Sequence, residues 1–147
     1  MNLQKYSNSR SLKEKNRTEA NRIKYLRIAL FVVGIIFIFG VLPLTILWPT
    51  GWVWHDGSRS EYLEMIMGIY ATLGVFLITA SRNPMAHASL IWFTVWSSIV
   101  HGAIMAVQSI TNPQHIGHLW GDVLAFLVVV VVLAVLTSRH VSTISRA

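Results

Sequence analysis

The stretch that decides the fold is Trp92-Phe-Thr-Val-Trp-Ser-Ser-Ile-Val-His-Gly-Ala-Ile-Met-Ala-Val-Gln108. It is mostly apolar and continues apolar on both sides, so it reads as the heart of a membrane-spanning helix. It nevertheless carries an ionisable residue, His101, far inside the run. Thr94, Ser98, His101, Met105 and Gln108 recur at helical spacing and share one face. Hydrocarbon disfavours such a face, whereas the interior of a helix bundle accommodates it.

Outward from this stretch the chain offers three more apolar runs. The four spans fall at about 26–48, 62–81, 86–109 and 118–137, each close to the 20 residues that cross a bilayer. Only 12% of the 147 residues are charged, against about 25% in soluble domains. The expected fold is an all-α, polytopic four-helix transmembrane bundle, with a disordered basic arm over residues 1–24 and a short polar tail over 138–147.

Eight of the twelve Lys and Arg residues lie between Lys5 and Arg27. A basic segment just before a span is a topology signal that also attracts anionic lipid, and no nucleic-acid motif accompanies it. The turn at Arg82 holds one further basic residue and the tail two, whereas the two opposite loops hold Arg59 and none. Both termini are therefore expected in the cytoplasm, with the protein in the inner membrane. The first run is too long for a secretory h-region and lacks a cleavage site, so it reads as an uncleaved anchor.

The first span contributes packing glycines, Gly34 and Gly40, and a kink at Pro43. After it, Trp48, Trp52 and Trp54 suit an interfacial belt or, alternatively, a ligand-stacking platform, and His55 and Asp56 suit a turn. In the second span Glu64, Gly68 and Ala71 form an acid-headed stripe of small residues, which is expected to face the bundle. Asn83 and Pro84 suit the N-cap and first position of the third helix, and the arm is expected to gain helix from about Ser11.

Placed on this topology, Glu64, His101, His118 and Asp122 all fall in the outer half of the membrane, with Gln108 beside them. His115 precedes His118 and Asp122, which stand at i and i+4. Ionisable groups inside a membrane are costly and mark a functional site by default. Three chemistries compete for this set. Carboxylates and imidazoles that satisfy one another would organise the helices or bind a small ligand. His101, His115, His118 and Asp122 are of the kinds that hold haem or a divalent metal, which would make a redox accessory protein. Finally, the set would relay protons or pass a small solute if the chain forms a homo-oligomer or joins a membrane partner. Depth weighs against the metal: at 1.5 Å per residue His101 lies roughly 12 Å below the outer end of its helix, and Asp122 about 3–5 Å below its own.

The chain has no cysteine, which excludes disulfides, thiolate catalysis and iron–sulfur clusters. No phosphate loop or nucleophile triad occurs, so a non-enzymatic role is expected. His87 and His140 read as interfacial, and Met65, Met67, Met105, Trp92 and Trp96 as packing or belt residues.

From Glu61-Tyr-Leu-Glu-Met-Ile66 through Ser89-Leu-Ile-Trp92 and Val100-His-Gly102 to His118-Leu-Trp-Gly-Asp122, the chain resembles a family of short bacterial four-helix membrane proteins of unknown function. The resemblance covers about residues 26–137 and implies a fold and a bacterial inner membrane, with no chemistry attached. Size and helix count are also similar to those of DoxX-like proteins.

Overall fold

A computed structural model describes residues 2–40, 43, 46, 47 and 61–144, and every regular element among them is helical. The tryptophan loop, with Trp48, Trp52, Trp54, His55 and Asp56, lies outside the described residues, as does the side chain of His140. Helix α1 runs Asn2–Ile35 and continues as a π-helical turn, Ile36–Gly40. Helix α2 spans Glu61–Arg82, α3 Ala88–Thr111 and α4 Asp122–Ile144, with 3-10 segments at Pro84–His87 and Pro113–Leu119.

The arm expected to be disordered is the first part of α1, which is helical from Asn2. No Gly or Pro interrupts the chain before Gly34, and Lys, Glu, Arg and Leu are good helix formers. Once the span supplies a nucleus, extending the helix costs little. Its 34 residues make about 51 Å of helix against a hydrocarbon core of about 30 Å, so α1 projects beyond the bilayer at the arm end. There Arg22 is buried and pairs with Glu19, Nη2 to Oε2 at 3.2 Å.

The π turn ends three residues before Pro43. Proline has no N–H to donate one turn back, and its ring presses on the carbonyl of residue 39, so the regular i→i−4 ladder gives way there. Two Asn-Pro pairs open the two 3-10 segments. At Asn112 the side-chain Oδ1 accepts from the Gln114 N–H at 3.3 Å. Asn83, expected to do the same, makes no side-chain cap, and its carbonyl instead accepts from the Ala86 N–H and from His87 Nδ1.

Helix α1 lies against α2 on one side and α4 on the other. Helix α3 packs mainly on α4 and meets α2 only sparingly. Leu26, Leu30, Val33 and Phe37 form the buried stripe of α1, packed with Leu77 and Ala80 of α2, Ile91 and Val95 of α3 and Leu133 of α4. In lipid no hydrophobic force draws helices together, so close packing has to hold them. The closest approach is at Gly34 and Gly74. A Cβ on Gly74 would stand 2.6 Å from the Gly34 carbonyl oxygen, and one on Gly34 would stand 2.8 Å from that of Gly74.

The packing face of α2 is thus Tyr70, Leu73, Gly74, Leu77 and Ala80, and not the stripe headed by Glu64. Glu64 and Gly68 are both exposed, and a Cβ on Gly68 would meet open space. Gly74 wins because it has a glycine opposite it on α1, which lets the two backbones touch. Among the described residues Gly40 has only Ile36 of its own turn beside it. Phe31, Phe39, Ile69, Phe76, Phe93, Trp96 and Leu127 are all exposed. Such a surface suits lipid and would be a liability in water. Among the described residues four helices are long and apolar enough to cross a bilayer, and the chain is a multi-pass membrane protein.

Candidate functional site

The site begins at the junction that leads into α4. The N–H groups of Trp120 and Gly121 both donate to the Gly117 carbonyl at 3.2 Å, closing a turn between the 3-10 segment and the helix. That turn folds His118 back over the start of α4, where its Nδ1 lies 2.9 Å from Oδ2 of Asp122. Both side chains are buried, at 1% and 4% exposure. Asp122 opens the helix, where the N-terminal dipole favours a carboxylate. A carboxylate oxygen only accepts, so with Asp122 ionised the His118 Nδ1–H is the donor. The sequence spacing suggested a pair on one face of a continuous helix. The contact is made instead across a 3-10-to-α junction. The His115 ring stands 5.7 Å from that of His118.

A second group lies one turn deeper. The His101 ring is 4.9 Å from Phe126 of α4 and 5.7 Å, edge to face, from Tyr70 of α2. Tyr70 also contacts Phe126 at 5.8 Å and Phe37 of α1 at 5.1 Å. Rings from all four helices therefore meet, each well-placed pair contributing about 0.5–1.5 kcal/mol beyond its area. Since Phe126 follows Asp122 by four residues, His101 sits about 6 Å deeper than the carboxylate.

One cavity of about 560 Å³ joins the two groups. Tyr70, His101, Met105 and Asp122 line it among apolar residues of α1 and α4, and among the described residues no Lys or Arg does. The Asp122 carboxylate lies near enough to act electrostatically on both Tyr70 and His101. A volume of this size matches small-molecule pockets, which are mostly apolar with a few polar groups.

Of the residues singled out from sequence, His101, Met105 and Asp122 thus share the cavity. His118 joins through Asp122 without lining the cavity itself, and His115 stands beside His118. Gln108 is exposed, and Ser109 is the buried residue at that level, donating its hydroxyl to the Met105 carbonyl at 2.8 Å. Thr94 and Ser98 are buried as the stripe required, with the Thr94 hydroxyl donating to the Leu90 carbonyl. Glu64 does not join the cavity. Among the described residues no three His, Asp or Glu side chains converge as a metal site requires. Because His118 does not line the cavity, it and His101 do not face a common slot for haem.

Tyr70 and Phe126 belong to the site and were not singled out from sequence. The available signal for Tyr70 was a hydroxyl-bearing ring six residues past Glu64, too deep for an interfacial belt. Phe126 offered none, because a phenylalanine in an apolar span is unremarkable.

A family described as a family of unknown function, DUF6632, matches residues 20–147. Comparison with curated proteins finds no match, and neither does comparison with solved structures. The similarity to DoxX-like proteins gains no support from these comparisons.

Proposed function

The chain belongs to the DUF6632 family, whose function is unknown, and we propose that it is a non-enzymatic inner-membrane protein that binds one small ligand inside its bundle. The observation that carries this is the 560 Å³ cavity, in which His101, Tyr70 and Asp122 interrupt an otherwise apolar lining. Polar side chains at such depth are costly, and helices could be held together without them. The His118–Asp122 pair braces the site, holding the carboxylate in place at the start of α4.

Both termini are proposed to be cytoplasmic, which the eight basic residues of the arm support, and the projecting part of α1 would lie near anionic lipid. Native mass spectrometry of the full-length protein released from detergent tests the ligand site. A bound mass of one molecule per chain, lost in Ala125→Phe, which puts a ring into the cavity, is the expected result. A bare mass for both proteins, under conditions where the fold survives, would overturn it.

A further inference from the structure

The walls of the cavity identify the kind of molecule that fits it. Five lining residues are also exposed: Val32 and Ile36 on α1, and Leu124, Val128 and Val132 on α4. Tyr70, His101 and Met105, from α2 and α3, are half-buried and form the floor. The cavity is therefore a groove that opens sideways between α1 and α4, toward the hydrocarbon of the bilayer. Its mouth is apolar, and inside it the polar groups stand at two levels, His101 and Tyr70 among the rings and Asp122 one turn above. A molecule that reaches this floor has to be dissolved in the membrane and to carry a polar head on an apolar chain.

Charge selects the head. Among the described residues no Lys or Arg lines the groove and the one carboxylate is that of Asp122, so a phosphate or carboxylate head would be buried without a cation and against an anion. A cationic head would have to sit at Asp122, one turn above the rings and their faces, where Oδ2 is held by His118 Nδ1. The groups that remain for recognition are the His101 imidazole and the Tyr70 hydroxyl, which hydrogen-bond to neutral carbonyls and hydroxyls. Shape adds a further condition: His101, Tyr70 and Phe126 form a wall of three rings with centroids 4.9–5.8 Å apart, and aromatic faces favour a flat partner.

Resting on the ligand-site reading above, we propose that the groove takes a membrane-dissolved lipid with a neutral, planar head bearing carbonyl or hydroxyl groups, of the quinone or quinol type. The head would lie against His101, Tyr70 and Phe126, and the chain would leave between α1 and α4. A second copy of the protein is a poorer occupant. A helix is about 10 Å across, and its apolar side chains would leave His101 and Asp122 facing hydrocarbon.

The test uses the purified full-length protein in detergent, with a benzoquinone carrying a ten-carbon chain as probe. Trp120 adjoins Gly121 and Asp122 of the groove, so quenching of tryptophan fluorescence reports occupancy. Saturable quenching at one probe per chain is expected. At least a tenfold loss of affinity should follow in His101→Phe and in Val128→Phe, the latter at the exposed mouth where the fold tolerates a larger side chain. Decanoate and decyltrimethylammonium, with chains of the same length, should not compete. Competition by either one would overturn the neutral head, and affinity unchanged in both variants would overturn the location. A retained endogenous mass without quinone binding would overturn this inference while leaving the ligand site standing. A dimer disrupted by Val128→Phe, with no probe bound, would assign the groove to a second copy instead.

Discussion

Replacing Gly74 with alanine tests the packing of the bundle against a control on the same helix. The new Cβ would stand 2.6 Å from the Gly34 carbonyl oxygen and 2.8 Å from Ile38 Cγ1, where ordinary contact begins at 3.4 Å. The shortfall is about 0.8 Å against the carbonyl, and that atom is backbone, so α1 and α2 have to part. Overpacking of this kind costs about 1–3 kcal/mol, offset by up to about 1 kcal/mol from the better helix propensity of alanine. Gly68→Ala has the same propensity gain and open space around the new methyl, so it should be neutral or slightly stabilising. Unfolding of the purified protein by SDS titration, followed by tryptophan fluorescence, should therefore separate the two variants by about 1–3 kcal/mol. Gly34→Ala should resemble Gly74→Ala, and the double variant should lose less than the sum, because helices already parted have room for the second methyl. Equal stability of Gly68→Ala and Gly74→Ala would refute the glycine crossing.

Three further outcomes follow from the site and the topology. His118→Ala leaves the Asp122 carboxylate buried without its imidazole and should cost about 3–5 kcal/mol, whereas His118→Ala with Asp122→Ala should recover part of that loss; a fully additive cycle in SDS unfolding would deny the pair. Gln108→Leu, on an exposed position, should change stability by less than about 0.5 kcal/mol, whereas Ser109→Leu forces bulk into a fully buried one and should lose about 1–3 kcal/mol in the same assay. A C-terminal fusion to alkaline phosphatase should be inactive in cells and one to green fluorescent protein bright; the reverse pattern would move the C-terminus to the outside.

The four spans and the inward stripe of α3 were legible because hydropathy and helical period are local properties of the chain. Helix rotation was not. Either Gly68 or Gly74 could head a packing stripe on α2, and only the position of Gly34 on another helix decides between them. Gln108 fails for a related reason: at 100° per residue the stripe drifts by about 20° every seven residues. Over the two heptads from Thr94 to Gln108 the drift reaches about 40°, and the buried face of the helix, marked by Ile91, Ser98, Gly102 and Ser109, lies to the opposite side of Thr94. Tyr70 was invisible as a site residue because its role depends on His101 and Phe126, which are distant in sequence.

The depth of His101 decides what the polar residues can do together. On sequence spacing the gap between His101 and Asp122 argued against a shared metal, and the structure keeps that gap at about one helical turn. The offset is what gives the site its form. A carboxylate braced by His118 stands one turn above an imidazole set among aromatic rings, and the cavity runs past both. A metal needs its ligands within bonding distance of one point, and this arrangement spreads them along a wall. Polar groups staggered along an apolar wall instead suit an elongated molecule with a short polar end. The Gly117–Gly121 turn creates the stagger by starting α4 at Asp122 and folding His118 back over it. Lengthening that turn by one residue should therefore separate His118 from Asp122 and weaken ligand binding, while leaving the Gly34–Gly74 crossing and the aromatic cluster intact.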